Sequence, residues 1–265
     1  MKDSNMIDQI VQGNCLELMK KLDASSVDMV LTSPPYDNLR TYKGFVFPFE
    51  AIANEIFRVV KDGGVVVWVV NDATIEGSES GTSFKQAIYF KEIGFNLHDT
   101  MIFRKKNPIP QIYRKRYNNE FEYMFVFSKG PVKTHNALMV DCLHAGLELK
   151  GSTYKNFSKN EQKREKMAKP VKAQKVKGNI WEYVVGKNAE DQEAKGHPAP
   201  FPCALARDHI SSWSNPGEIV LDPMCGSGTT TKVAKHLGRR FIGMDISEEY
   251  CQIARERLDL NPSLN

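Results

Sequence analysis

Nine residues, Asp222-Pro223-Met224-Cys225-Gly226-Ser227-Gly228-Thr229-Thr230, restrict the folds open to this chain more than any other stretch. They follow an apolar run, Glu218-Ile219-Val220-Leu221, and precede a helical pattern, Thr231 to Leu237, stopped by Gly238. Strand, glycine-rich turn and helix in that order form the cradle with which parallel α/β sheets hold nucleotide-like ligands. Gly226 and Gly228 allow the backbone a close approach to such a ligand. Arg240-Phe241-Ile242-Gly243-Met244-Asp245 then reads as the next strand, tipped by an acid. Asp245 stands 23 positions after Asp222, where a ribose-binding carboxylate belongs. The plainer reading is an αβ turn with a Ser or Thr helix cap. The second strand ending in Asp argues against it.

The rest of the chain extends this pattern. Strands are expected over roughly 7–12, up to Leu31, 64–70, 95–103 and 122–127. Helices are expected over 15–22, 49–60, 84–93, 199–213 and 247–258, the second with Ile52, Ile56, Phe57 and Val60 at helical spacing. The unbroken apolar run Val65–Val70 suits a parallel strand buried on both faces. Alternating βα units imply an α/β fold with a doubly wound, mostly parallel sheet. In such a sheet, ligands sit beyond the strand ends where the strand order reverses. We therefore expect the strand ending at Leu31 and the strand ending at Asp222 to be neighbours, with the helix at 199–213 packed beneath.

The glycine turn is not that of a nicotinamide dinucleotide site. It lacks the third glycine of that fingerprint, and position 231 is Thr where Gly or Ala is wanted for helix–strand packing. Asp222, just before the glycines, would repel a pyrophosphate. It suits a cationic or amine-bearing ligand, and S-adenosylmethionine has a sulfonium, an ammonium, a ribose and an adenine but no phosphate.

Thr32-Ser33-Pro34-Pro35-Tyr36 closes the apolar run Val27-Asp28-Met29-Val30-Leu31. The Ser33 hydroxyl and Pro34 carbonyl can accept hydrogen bonds from an amine, and proline contributes no backbone N–H. Tyr36 offers a ring face for an unstacked base. Together they suit a nucleobase amine, a poor nucleophile that must be drawn toward tetrahedral geometry. Alone, the same residues are equally a turn that ends a strand.

Together the two motifs resemble those of the β-class S-adenosylmethionine-dependent DNA amino-methyltransferases of bacteria and phages, in which the catalytic motif comes first and the cofactor motif last. Ile10-Val11-Gln12-Gly13-Asn14-Cys15-Leu16-Glu17, Phe57-Arg58-Val59-Val60-Lys61-Asp62-Gly63-Gly64 and His197-Pro198-Ala199-Pro200-Phe201-Pro202 resemble further segments of that family. Only about 131–195 lacks a counterpart. The resemblance implies a Rossmann-like fold with circularly permuted motif order. It divides the chain into a catalytic half at 1–130, a target-recognition segment at 131–195 and a cofactor-binding half at 196–265. It implies catalysis by Ser33, Pro34, Pro35 and Tyr36. The cofactor would be held by Asn14, Cys15, Thr32, Ser33, Phe201, Pro202, Asp222, Pro223, Gly226, Ser227, Gly228, Thr229, Thr230, Asp245 and Ile246. The chain departs from the family at Asn14, where Asp is usual, and at Phe201, where Lys is frequent. In the family, Ser-Pro-Pro-Tyr accompanies N4 of cytosine and Asp-Pro-Pro-Tyr accompanies N6 of adenine. The expected reaction is therefore methylation of cytosine N4 in a flipped base of duplex DNA. The alternatives are adenine N6 or, further off, an RNA or protein amide.

Basic stretches fit a polyanion partner. Arg104-Lys105-Lys106-Asn107-Pro108 and Gln111-Ile112-Tyr113-Arg114-Lys115-Arg116-Tyr117 interleave cations with rings, as phosphate clamps and stacking platforms do, though a solvated loop would read the same way. Arg40, Lys43, Lys105, Lys106, Arg114, Lys115 and Arg116 are the candidate DNA contacts. Lys150–Lys177 holds ten Lys or Arg against two Glu, a composition that suits ordering on DNA or a linker. The net charge of +4 agrees with this without being diagnostic. Five scattered cysteines, with no metal-ligand spacing, read as reduced thiols. Neither Pro202-Cys203 as a nucleophile nor the dispersed His98, His144, His197 and His209 as a metal or triad set finds support. With no long apolar stretch and no signal-peptide pattern, we expect a cytoplasmic protein of bacterial, archaeal or phage origin, a monomer or weak homodimer. A cognate restriction endonuclease is a candidate partner.

Overall fold

A computed structural model describes residues 6–35, 47–108, 110, 115–147, 170–186 and 202–259. In chain order the strands are β1 (Gln9–Gln12), β2 (Val27–Thr32), β3 (Val60–Val70), β4 (Thr74–Ile75), β5 (Ser78–Glu79), β6 (Asn96–Lys105), β7 (Phe121–Ser128), β8 (Met139–Asp141), β9 (Gln174–Val176), β10 (Ile180–Tyr183), β11 (Ile219–Asp222) and β12 (Arg240–Asp245). The helices are α1 (Cys15–Met19), α2 (Phe49–Val59), α3 (Thr82–Glu92), α4 (Cys203–Trp213), α5 (Thr229–His236) and α6 (Glu248–Asp259). The chain separates into two compact units, Met1–Asn136 with Asn179–Asn265, and Ala137–Gly178.

The larger unit holds an eight-stranded sheet in the order β1-β12-β11-β2-β3-β7-β6-β10. Every adjacent pair is parallel except β3–β7 and β7–β6. The unbroken apolar run Val65–Val70 lies inside β3, with each residue at most 1% exposed. Such a strand needs cover on both faces. On one face α1, α2 and α3 bury Leu18, Met19, Ile52, Ile56 and Phe90 against Val30, Val66, Trp68, Leu221 and Met244. From the other side α4 packs on β2 and β3, α5 on β11 and β12, and α6 on β1 and β12. The expected α/β, doubly wound and mostly parallel architecture is the one found.

The strand order reverses between β2 and β11, which pair in parallel with Val220 beside Met29 and Leu221 beside Val30. Asp28 sets this register at the other end of the strands. Its carboxylate accepts the Ile219 N–H at 2.9 Å and an ion pair from Lys61 at 2.7 Å, tying the starts of β2, β11 and β3 together.

Local boundaries differ from the sequence reading in instructive places. β3 begins at Val60 rather than Gly64, because the chain enters it directly from α2 through Lys61-Asp62-Gly63. A Cβ on Gly64 would lie 2.8 Å from the Asp28 carbonyl oxygen, so only glycine lets β3 pass so close to β2. The first strand starts at Gln9, since Asp8 takes a positive φ of 64° and turns the chain. α4 is described from Cys203, and residues 199–201 lie outside the described residues. β10 was not foreseen. It lies within the span expected to be a target-recognition segment, yet pairs with β6 at the sheet edge, burying Trp181 and Tyr183 while Ile180 and Glu182 face out. In the smaller unit, β8 and β9 form an antiparallel pair.

Candidate active site

Five strand ends meet at one edge of the large sheet. Gln12 pairs with Asp245, Asp222 with Gly243, and Thr32 with Trp68 of β3. The loops that follow β1, β2, β3, β11 and β12 therefore leave the sheet side by side at its reversal point, where open α/β sheets bind ligands.

The loop after β11 is almost wholly buried. Asp222, 2% exposed, accepts the Met224 N–H at 3.2 Å. Burial raises its carboxyl to about 6, opposed by the hydroxyls of Thr230 and Thr32 and by the Met224 N–H, while the charge of Asp245 adds to the rise. The Thr230 hydroxyl, whose single proton the Leu31 carbonyl shares with Asp222, lies 3.2 Å from that carbonyl and links α5 to β2 across 199 positions of sequence. Thr32 is fully buried and its hydroxyl completes no well-formed hydrogen bond among the described residues, so it acts on Asp222 only as a nearby dipole. Gly226 and Gly228 take φ of 50° and 79°. A Cβ on Gly228 would sit 2.7 Å from Cβ of Ala254 on α6, so the turn closes tightly only with glycine.

Asp245 faces this loop. Its two carboxylate oxygens accept the N–H groups of Gly226 and Ser247, each at 2.9 Å. Burial raises its carboxyl too, and the N–H groups of Ser247, Gly226 and Ile246 pull the other way. The Gly13 N–H donates to the Asp245 carbonyl at 2.8 Å, and Gln12 reaches the Ile246 carbonyl at 3.1 Å. Burial, with the charges of Asp245 and Asp222, pushes the Cys15 thiol up to about 11. Cys15, Asp222 and Asp245 thus lie within electrostatic reach of one another although the sequence spreads them over 230 positions. Asn14 caps α1, its side-chain oxygen accepting the Leu16 N–H at 2.9 Å. A second lone pair of that oxygen remains for a ligand.

Ser33 and Pro35 are partly buried and Pro34 is buried, directly after β2 and beside the Asp222 loop. Pro202 is buried at the start of α4, followed by buried Cys203. Pro223, Ser227 and Thr229 are buried and Ile246 is 38% exposed. Tyr36 and Phe201 lie outside the described residues.

The donor set fits a cationic, phosphate-free ligand. The buried carboxyl of Asp222, its pKa raised, gains from a nearby positive charge, and Asp245 is partly buried beside it. An unsatisfied buried hydroxyl, Thr32, stands beside one of them, and a glycine turn leaves backbone room.

The family model for a DNA methylase of the N6/N4 type matches residues 27–256. The chain belongs to the DNA methylase family. The family uses S-adenosylmethionine as methyl donor. The orphan methyltransferase M.BamHII of Bacillus amyloliquefaciens is 51% identical over 237 residues, 88% of this chain and 89% of that protein. The DNA adenine methyltransferase YhdJ of Escherichia coli K12 is 29% identical, covering 95% of this chain and 82% of that one. Among solved structures, the complex of M1.HpyAVI with S-adenosylmethionine superposes with a TM-score of 0.60 at 25% identity, over 94% of this chain and 99% of that one.

The candidate DNA contacts of this methylase are of two kinds. β6 ends at the same sheet edge as β3, because both run antiparallel to β7. Lys105, at that end, is held in a partly buried ion pair with Glu122 of β7 at 2.8 Å. Arg116 pairs with Glu79 at 3.3 Å and donates to the Gly77 carbonyl of the β4–β5 hairpin. Lys106 and Lys115 are exposed. Arg40, Lys43 and Arg114 lie outside the described residues.

Two residues beside the candidate site escaped the sequence reading. Gly243, in β12, makes room for Thr231: a Cβ there would lie 2.9 Å from Thr231 Cγ2 and 2.5 Å from Ile10 Cδ1. The close helix–strand packing that position 231 does not provide is supplied from the strand, and a lone glycine in an apolar strand signals such an approach. The other is Arg257 on α6, 2% exposed, which donates to the Ser227 carbonyl and, at 2.9 Å, to the Ser227 hydroxyl. Its signal is a cation on the stripe that also carries Cys251 and Ala254.

Proposed function

We propose that the protein methylates the N4 amine of cytosine in duplex DNA, with the target base flipped out of the stack. The observation that carries this reading is the pairing of β2 with β11, which sets the segment Ser33-Pro34 beside the loop that follows Asp222. S-adenosylmethionine supplies an electrophilic methyl on a sulfonium. Asp222, Asp245, Cys15 and the turn Gly226–Thr230 would hold it, Asp222 facing its positive charges and Asp245 its ribose. The Ser33 hydroxyl and the Pro34 carbonyl accept hydrogen bonds from the target amine and favour its tetrahedral form. Tyr36 stacks on the extruded ring. As the N–C bond formed, the bond between that methyl and the sulfonium sulfur would break and leave a neutral thioether. Acceptors fixed beforehand would stabilise the positive charge growing on the nitrogen without reorganising, and the nitrogen would then lose one amine proton to solvent. Exposed Lys106 and Lys115, with Arg40, Lys43 and Arg114, contact phosphates, and segment 131–195 reads the target sequence.

The choice of cytosine rests on Ser at position 33. Adenine N6 is the second reading, favoured by the 29% identity to an adenine methyltransferase. Incubation with tritiated S-adenosylmethionine and duplex DNA, total RNA or protein tests the substrate class. Digestion of the labelled DNA to nucleosides separates the bases: label in N4-methylcytosine supports the reading, and label in N6-methyladenine replaces it. We place the enzyme in the cytoplasm as a monomer or weak homodimer. The orphan status of M.BamHII favours work without a cognate endonuclease over work beside one.

A further inference from the structure

We propose that Arg257 is a positioning residue for the cofactor: from the last helix it locks the Ser227–Gly228 peptide and so holds the glycine turn open to the ligand. The inference rests on the reading that this turn receives S-adenosylmethionine.

The turn is two left-handed glycines with Ser227 between them. Such a segment is soft, since glycine crosses its φ/ψ regions at little steric cost. The peptide joining Ser227 to Gly228 is nevertheless fixed at both ends. Its carbonyl accepts from the Arg257 guanidinium, and its N–H donates to the Cys225 carbonyl at 2.7 Å. The same guanidinium nitrogen lies 2.9 Å from the Ser227 hydroxyl and 3.4 Å from the Thr229 hydroxyl. One side chain thereby directs a carbonyl and two hydroxyls inward, toward α6. Were that peptide to rotate, its carbonyl dipole would turn toward the ligand side, where α5 starts with uncapped N–H groups.

Arg257 stands in the last turn of α6, where a cation suits that helix's dipole, but its guanidinium reaches the N-terminal turn of α5, where a cation opposes the dipole. Burying a guanidinium is also unfavourable unless its hydrogen bonds are made. The dipole of α6 would be served equally by a solvent-exposed side chain, so burial of the guanidinium against three acceptors of the turn is accounted for by what it holds in place. The prediction is a cofactor effect: affinity for S-adenosylmethionine falls, while turnover at saturating cofactor and the KM for DNA stay within about threefold.

Titration calorimetry with S-adenosylmethionine, on the full chain and on Arg257→Met, Arg257→Lys and Asp245→Ala, tests this together with steady-state kinetics. The expected result is a Kd raised at least tenfold in Arg257→Met and at least threefold in Arg257→Lys, which keeps the charge but ends one bond short of the nitrogen that makes the three contacts. A folded Arg257→Met with wild-type Kd overturns the proposal. So does a variant whose kcat collapses while Kd holds, because that is a general structural role. If Arg257→Met does not fold, Arg257→Lys decides by the same threefold criterion. Asp245→Ala separates the underlying reading: unchanged affinity there removes the cleft as cofactor site. Lost affinity there with unchanged affinity in both Arg257 variants removes only the role of Arg257.

Discussion

The loop after β11 and the loop joining β6 to β7 leave the same edge of the sheet and are built in opposite ways. In the first, every residue from Leu221 to Thr230 except Met224 is buried, and its polar groups are tied to β2, β12 and α6. In the second, Lys115 to Asn119 are exposed, and Tyr117 is 99% exposed. The contrast follows from the ligands proposed for each. A small cofactor of fixed shape is bound best by groups already ordered, since ordering costs are then met on folding. A DNA track meets a long, hydrated polyanion, for which exposed cations that release counterions contribute more than a rigid mould.

The largest effects should break the cleft into its two chemical halves. Ser33→Ala removes an acceptor at the target amine, and we expect kcat to fall by about 100-fold, by analogy with the loss of one preorganised polar group in other active sites. Its cofactor Kd should change much less than its turnover. Asp245→Ala should do the reverse, weakening cofactor binding far more than turnover at saturation. Single-turnover rates with calorimetric Kd values separate the two, and equal turnover in Ser33→Ala would remove the acceptor role.

Next in size is the pH response of the buried half. The Asp222 carboxyl titrates at about 6 in the folded chain against an ordinary 3.8. Below about pH 4 it is protonated in both folded and unfolded chains, and its ionisation adds no penalty. Between about 4 and 6 the unfolded chain loses the proton and the folded chain keeps it, so stability falls as pH rises. Above that window the full penalty, about 3 kcal/mol, is in place. Asp245, raised in the same direction, adds to the slope. Asp222→Asn should therefore flatten the fall of Tm between pH 4 and 6. Cofactor affinity should run the other way in the wild type, rising through about pH 6 as the carboxylate becomes able to pair with a cation. A wild-type affinity independent of pH across that range would count against Asp222 as its partner.

Much of the buried half was legible because its signals are local. Glycines, an acid before them and a strand tipped by Asp245 are all short-range features, and their order predicted the turn, while the adjacency of β2 and β11 followed from the rule that ligands sit where strand order reverses. What stayed hidden depends on contacts remote in sequence. Thr231 looks wrong for helix–strand packing until Gly243 is seen beneath it, 12 residues on. Arg257 looks like a surface residue of a charged helix until Ser227 is found 30 positions away. Asn14 read as a ligand contact, and the structure adds a capping bond that any Asn before a helix can make. β10 has four residues and gains its place by pairing with β6 and by setting Trp181 and Tyr183 against His209 and Asp208 of α4. In the basic loop, composition was readable but pairing was not: Lys105 and Arg116 look equivalent to Lys106 and Lys115 until their carboxylates come into view.

That distinction gives a smaller, sharper test. Lys106→Ala and Lys115→Ala should each weaken duplex binding by about tenfold at low salt. Each should also reduce the slope of log Kd against log salt by about one. Lys105→Ala removes a charge already paired with Glu122 and should change that slope less. Fluorescence anisotropy over a salt series measures all three, and an equal slope change in Lys105→Ala would show that its ion pair opens on DNA.

The smallest effect expected is at Tyr117, and it isolates function from folding. A side chain 99% exposed makes almost no packing contact, so Tyr117→Ala should leave Tm unchanged, within about 0.5 kcal/mol of stability. If the ring stacks on an unpaired base or on the ribose edge of the duplex, its loss should weaken DNA affinity by about 1 kcal/mol, the low end of base–aromatic stacking. Tyr117→Phe should restore that affinity, because the ring face and not the hydroxyl makes the contact. A Tyr117→Phe that behaves like Tyr117→Ala would move the contact to the hydroxyl and make it a phosphate hydrogen bond. No change in either variant would confine DNA binding at this edge to the cations.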